Sequence, residues 1–377
     1  MRGPLWGFVL TVWLVAPAAG APAGVEPIRV SLGDGLRAVE VGAAELVTVL
    51  DAGTRRALFG VPGPTVIRIS PAPQGLEVGA RRLLMPAVRL ETRRGPFRIG
   101  TRDFVGSLEV WRSGEGLLLI SELPLEEYVA GAVRAEVPEK WPIAFLRAMA
   151  VVARTYAVFQ QWRNATKPYH LVASAQDQNF AGRPPEGSPV WEAARGTAGE
   201  VLTWQGRVFP TFYHSDSGGF TEPPETVFSG EGIPPLPGVR DEFSLDSPHY
   251  AWAVTLPLAA IGERLRQGGA LDIGDVKGLT ILERSPSLRV VRLAVEHSRG
   301  AVVFKGTEFR RFLGYDVLRS TLFVAVMSDG AVRFEGRGWG HGVGLSQFGA
   351  KGMAERGYAY RQILEHYYPG TTLASLR

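Results

Sequence analysis

The chain has no cysteine among its 377 residues. Disulfides, thiolate nucleophiles and cysteine-ligated metals are therefore excluded. There is no strong imbalance of charge either. Lys and Arg number 41 against 37 Asp and Glu, a formal net charge of +4. No basic block marks a nucleic-acid groove, so no nucleic-acid partner is expected. A Gly-x-Ser-x-Gly elbow is absent, which argues against a serine hydrolase built on that turn. Beyond the N-terminus no segment reads as apolar enough to cross a membrane.

The chain is long enough for one large domain or two ordinary ones, and its 45% hydrophobic and 21% charged residues are ordinary for a globular protein. At the N-terminus, Arg2 precedes an apolar stretch, Leu5 to Val15, that is too short to span a bilayer. Small residues follow, with cleavage sites at Ala16–Ala18 or Ala21–Ala23. This reads as a secretory signal peptide over 1–23 and a secreted, periplasmic or cell-envelope location. The alternative is an uncleaved anchor.

From 24 to 106 the chain reads as a β-rich region. Runs such as "AVRLETR" lie between Gly, Pro and Ser breaks, and "SPAPQG" (Ser70 to Gly75) is a turn or linker. The region 107–377 mixes helices with antiparallel strands, so the fold class is α+β. "LPLEEYVAGAVRAEVP" predicts a helix with Pro124 in its first turn and Glu126 and Glu127 at its positive end. Pro138 stops it and leaves Glu136 at its C-terminus. The helix dipole there nudges a carboxyl toward its protonated form, which suits a general acid and is equally compatible with a surface Glu. Glu139 then opens a two-proline elbow and is expected to face solvent. A second, buried helix starts near Pro142, with Arg147, Arg154 and Gln161 on one polar stripe.

"VLTWQGRVFPTFYHS" reads as a hairpin around Gln205-Gly206 that delivers His214, Ser215, Asp216 and Ser217 to a Gly218-Gly219 turn. A Ser-His-Asp triad so compressed in sequence is disfavoured against a polar turn. "LRVVRLAVEH" and "TLFVAVMSDGAVRFEG" read as strands, the second with a hairpin turn. In "GRGWGHGVGLSQFGAKG", glycines 336, 338, 340, 342 and 344 alternate with Arg337, Trp339, His341 and Val343. If extended, one face is bare backbone. Trp339 could lie against a pyranose face. Alternatively the glycines pack beneath the following helix and His341 is a hydrogen-bonded core residue. Ser346 is the N-cap of that helix, and "YRQILEHYYPG" is a terminal helix.

Taken in order, "LPLEEYVAGAVRAEVPEKWPIAFLRAMAVVARTYA", "DQNFAG", "YHSDSGGFTE", "LGYDVLRSTLF" and "GRGWGHGVGLSQFGAKGMAERGYAYRQILEHYYPGT" resemble the stage II sporulation protein D (SpoIID/LytB) family, from about Ser107 to Leu373. The resemblance implies a cell-wall lytic transglycosylase. Such an enzyme cuts peptide-free glycan between N-acetylmuramic acid and N-acetylglucosamine, and its acid/base glutamate falls on Glu136. One carboxylate suffices because the substrate's own 6-hydroxyl attacks the anomeric carbon. Arg154, Tyr156, His214, Ser217, Thr221, His341 and Gln347 are the expected substrate-binding residues; for Arg154 a structural pair with Glu126 or Glu127 is the alternative. Peptidoglycan strands and a cell-wall amidase are the implied partners. A second reading is a non-catalytic, peptidoglycan-binding enhancer of an amidase. Some relatives carry Cys and His in the segment matching "HSDSGGFTE" and bind zinc there. This chain has Ser217 and Phe220 instead, so neither metal nor cofactor is expected.

Overall fold

The computed structural model describes residues 26–228, 230–270 and 272–376. The signal-peptide expectation falls outside them. The fold mixes helices with mostly antiparallel sheets, and among the described residues twelve strands precede the first helix. It forms two compact units. One comprises the described part of Ala19–Thr211 with Thr372–Arg377, and the other comprises Phe212–Thr371.

In the first unit a seven-stranded sheet runs in the order Leu171–Val172, Ile28–Leu36, Gly116–Leu123, Ser107–Ser113, Ala87–Thr92, Val47–Asp51, Ala57–Val61. Strands from both sides of residue 106 share it. Gly116–Leu123 is an interior strand, and Leu117, Leu119 and Ile120 are buried, as a near-continuous apolar run requires. A six-stranded sheet includes Val39–Ala43, where Val39, Val41 and Ala43 are buried and Glu40 is exposed, the period of two of a strand with one wet face. Ser70 to Ala72 belong to a strand, Thr65–Ala72, that turns directly into Gly75–Val78. The segment expected as a turn or linker is therefore half strand. On the first sheet, buried Glu109 accepts from Arg29 at 2.7 Å and from Arg89 at 3.0 Å, and Glu122 accepts from Arg89 at 2.7 Å. The charges sit inside because each has partners of opposite sign.

Helix α1 spans Leu125–Glu136 and α2 spans Ile143–Arg163, with Pro124 and Pro142 as N-caps. Between them Trp141 closes the elbow, donating its N–H to the Pro138 carbonyl at 3.1 Å, with its ring edge-on to Phe145 at 4.9 Å. By length and composition α2 could cross a membrane, which corrects the expectation that no later segment is apolar enough. It is nevertheless a core helix, with Phe145, Met149, Val152, Ala157 and Phe159 buried. It packs on α1, on α3 (Pro189–Gly196) and on strand Glu200–Trp204.

The second unit has two three-stranded antiparallel sheets, Ala251–Pro257/Ala331–Arg337/Phe323–Ser328 and Val276–Arg284/Val290–His297/Gly300–Lys305. With α4 (Leu258–Gln267) and α5 (Gly306–Leu313) they enclose a core of Trp252, Ile261, Leu265, Leu293, Phe304, Phe309 and Phe334. The glycine strip is not an extended strand. Regular pairing stops at Arg337, and Gly338, Gly340, Gly342 and Gly344 take φ of 77°, 121°, 89° and 74°. Gly344 is the tightest of them, since a Cβ there would lie 1.9 Å from the Phe212 carbonyl oxygen. Its bare backbone lets Leu345–Ser346 pair in parallel with Tyr213–His214. Ser346 then caps α6 (Gln347–Glu355), accepting from the Gly349 N–H at 3.2 Å, and α7 (Tyr360–Tyr367) follows.

Candidate active site

Glu136 is the last residue of α1 and is half-buried. Its Oε1 accepts the backbone N–H of Asn179 at 2.6 Å. Asn179 belongs to "DQNFAG", and residues 177, 178 and 180 of that motif each hold the turn in a different way. Asp177 Oδ1 accepts from the Tyr156 hydroxyl at 3.0 Å and from Gln160 Nε2 at 2.8 Å, and its Oδ2 accepts the Val172 N–H at 2.8 Å. Gln178 Oε1 accepts from the buried Tyr128 hydroxyl at 2.9 Å. Phe180 packs on the Tyr128 ring, centroid to centroid 5.2 Å. Gly131 on α1 makes this approach possible: a Cβ there would lie 2.4 Å from the Gly182 carbonyl oxygen and 2.5 Å from the Phe180 ring. Burial, then the charge of Asp177, pushes the Tyr128 and Tyr156 phenols upward, so both remain protonated donors.

Arg154 is fully buried. Its Nε and NH2 grip Glu126 at 2.9 and 2.6 Å, and it also donates to the carbonyls of Ala194 at 3.1 Å and Glu200 at 3.1 Å. This is the structural pair, made with Glu126; Glu127 instead takes Arg183 at 2.6 Å. The polar stripe of α2 is engaged by the fold: Arg147, which lines a shallow concavity with Ser188 and Trp191, pairs with Glu192 at 3.2 Å, and Gln161 donates to the Glu26 carbonyl at 3.0 Å. Glu139 does not simply face solvent. It accepts from Arg134 at 2.6 Å and from the Ser188 hydroxyl at 2.5 Å, and the Ser188 bond holds its carboxyl below the usual range.

The remaining expected residues lie in the second unit, mostly with their polar atoms engaged internally. His214 Nδ1 donates to the Val343 carbonyl at 3.1 Å, which leaves its buried Nε2 as an unpartnered lone pair. His341 Nδ1 accepts the Val343 N–H at 3.0 Å, so its proton sits on Nε2. The two rings are 5.4 Å apart. Loss of water, then nearby charge, pulls His341 down to about 3 and His214 well below its usual value. Both are neutral at pH 7. The Ser217 hydroxyl donates to buried Asp241 at 2.6 Å, and Thr221 Oγ1 accepts the Val239 N–H at 2.7 Å. Gln347 is buried at the start of α6. Asp216 accepts the Gly218 N–H at 2.7 Å, so His214, Asp216 and Ser217 form no proton relay. Trp339 is half-buried, with Arg319 4.9 Å over its ring and His249 edge-on at 4.6 Å. Sequence reasoning missed the buried Arg289, which donates to the Ser217 carbonyl at 2.6 Å and lies 3.7 Å from Glu222. An isolated Arg in a strand-like run carried no signal of burial.

A sequence profile described as SpoIID, stage II sporulation protein, matches residues 113–204. Another, described as a domain of unknown function (DUF8618), matches 240–344. The stage II sporulation protein D of Bacillus amyloliquefaciens is 30% identical over 277 residues, 68% of this chain and 75% of the relative. The chain belongs to the stage II sporulation protein D family. An uncharacterized protein of Brachyspira hyodysenteriae is 27% identical over 79% of both chains. A Bacillus subtilis protein named amidase enhancer is 26% identical over 65% of this chain and 40% of its own length. The zinc site of some stage II sporulation protein D relatives does not fit the residues here. Ser217 is bonded to Asp241 and Phe220 offers no lone pair. Among the described residues no three His, Asp or Glu side chains are grouped as metal ligands.

Proposed function

We propose that this protein is a peptidoglycan lytic transglycosylase in which Glu136 is the only acid/base group. Membership of the stage II sporulation protein D family supports a role at the cell wall. The observation that carries the finer reading is the setting of Glu136, a half-exposed carboxyl at a helix C-terminus with one oxygen held by a backbone N–H. Such a group can protonate the glycosidic oxygen as the bond to the anomeric carbon breaks. It can then take the proton of the sugar's 6-hydroxyl as that oxygen closes a 1,6-anhydro ring. No water is consumed and no second carboxylate is needed. Tyr156 serves this site from behind, through Asp177, whereas Arg154 holds the fold through Glu126. Export to the cell envelope, behind the signal peptide of residues 1–23, belongs to the same reading.

The likeness to a protein named amidase enhancer favours a second reading, a glycan-binding stimulator of a cell-wall amidase. Peptide-free glycan strands separate the two. Mass spectrometry of the products should show 1,6-anhydromuramic ends. Their absence, together with stimulation of an added amidase, would establish the second reading. Reducing ends would instead mean hydrolysis and a second carboxylate.

A further inference from the structure

We propose that Asp177 is a positioning residue for Glu136. This rests on Glu136 being the reacting carboxyl. Asp177 gathers three donors from three places: Tyr156 and Gln160, one turn apart on α2, and the Val172 N–H from the start of the turn itself. Two residues later the Asn179 N–H meets Glu136 Oε1. The chain from α2 to the reacting carboxyl thus runs Tyr156/Gln160, Asp177, Asn179, Glu136. Asn179 is exposed, so its N–H is not held in place by packing of its own side chain. Its direction comes from the residues on either side, namely Asp177 pinned to α2 and Gln178 and Phe180 pinned to Tyr128 of α1. Of these, Asp177 alone ties the turn to α2 and to its own first strand at once.

An off-target N–H shifts the hold on Glu136 Oε1, and small displacements of a reacting group cost large factors in rate. The titratable groups that bear on one another here are Glu136 and Tyr128 from α1, Tyr156 from α2 and Asp177 from the turn, with Arg163 acting on Tyr156. Asp177→Asn keeps one acceptor oxygen but places an amide donor against either the Val172 N–H or the Tyr156 and Gln160 donors. It also removes a negative charge near Glu136. Those two consequences have opposite signs for Glu136. Losing the charge alone favours the carboxylate and lowers its titration midpoint. Losing the Asn179 N–H disfavours the carboxylate and raises the midpoint.

The test uses the full chain, with Asp177→Asn and Tyr156→Phe beside the unaltered protein. The Glu136 carboxyl carbon is followed by 13C NMR through a pH titration, its signal identified by its loss in Glu136→Gln. Positioning predicts an upward midpoint in Tyr156→Phe, which changes no charge, and in Asp177→Asn a midpoint above the lowering that charge loss alone would give. It also predicts faster hydrogen exchange over 171–181 in Asp177→Asn with α2 unchanged. On glycan strands kcat should fall between about 10- and 100-fold with KM little altered. An unmoved or lowered midpoint in Tyr156→Phe, or unchanged exchange over 171–181 in Asp177→Asn, overturns the proposal. If the unaltered protein makes no 1,6-anhydro ends, the proposed function fails, while the titration and the exchange still decide whether Asp177 positions Glu136. Should Asp177→Asn fail to fold, Tyr156→Phe decides: it changes no charge, so an unmoved midpoint sinks the idea.

Discussion

Asn179 donates its backbone N–H to Oε1 of Glu136 at 2.6 Å, across 43 residues of sequence. The bond sets two influences against each other at one carboxyl. The C-terminal end of α1 disfavours negative charge, and the N–H favours it. In the proposed reaction Glu136 gives a proton and then takes one back, and such a balance serves both steps. The same bond makes the "DQNFAG" turn part of the site.

Arg154 tests whether the family's polar residues on α2 act on substrate or on the fold. Its guanidinium is fully buried and pairs with Glu126 and three carbonyls. Arg154→Ala takes the charged donor from all of them, leaves Glu126 with the Gly199 N–H, opens a void beside α3, and should cost about 3 kcal/mol or more. Urea unfolding measures it. A loss below about 1 kcal/mol would mean that the pair is not structural.

Buried His214 and half-buried His341 fix the sign of an acid response. His341 is pulled down to about 3 in the folded protein, while its unfolded value is about 6.5. Between those values the unfolded chain binds the proton and the folded chain does not. Stability therefore rises with pH across the window, and is lost as pH falls from about 6.5 toward 3. His214, also held well below its usual value by burial, adds to the same slope. The urea midpoint should drop from pH 7 to pH 5, and His341→Gln should flatten that drop. An equal slope in the variant would show that His341 does not contribute.

Local signals were readable where the chain makes its own partners. The Pro138–Pro142 elbow, the Gln205-Gly206 turn (φ 49° and 74°) and the Asp329-Gly330 turn (φ 46° and 76°) follow from residues adjacent in sequence. The glycine strip stays open in the sequence because alternation looks the same whether the backbone is extended or has positive φ. What decides it is the Phe212 carbonyl lying against Gly344, more than 100 residues away in sequence. Arg154 was ambiguous for the same reason. A polar residue on an apolar helix shows no direction until Glu126 is placed beside it. Glu139 looked like a solvent-facing elbow residue because Ser188, its second partner, arrives from α3. The hold of Asp177 on Tyr156 and Gln160 had no sequence signal beyond membership of a short motif.

Gly344 offers a test of the strip itself. Its φ of 74° and the nearby Phe212 carbonyl forbid a side chain. Gly344→Ala must move the Leu345–Ser346 strand off Tyr213–His214 and should destabilise the protein by at least about 2 kcal/mol. Gly357→Ala is the control, since φ there is 87° but nothing lies within 4 Å of a Cβ. It should cost less, through backbone strain alone. Equal costs, read from thermal unfolding of both variants, would contradict a tight backbone crossing at Gly344.

Glu136 and Glu139 stand three residues apart at the same helix end, and only one is assigned a role in proton transfer. Glu136→Gln keeps an oxygen to accept the Asn179 N–H, so the fold and glycan binding should persist. The amide cannot exchange a proton, and anhydro-end formation should fall by roughly 100- to 10,000-fold, or more where one residue serves as both acid and base. Glu139→Gln removes one partly exposed pair with Arg134 and weakens the bond from Ser188. Its cost should stay below about 1 kcal/mol in stability, with little change in rate. Both variants are compared on peptide-free strands by counting 1,6-anhydromuramic ends, and on the same strands by sedimentation for binding. Normal rates in Glu136→Gln would remove Glu136 from the chemistry. A large loss of rate in Glu139→Gln with full binding would transfer the role to Glu139, since that carboxyl is held at the elbow by two partners and could reach the same substrate.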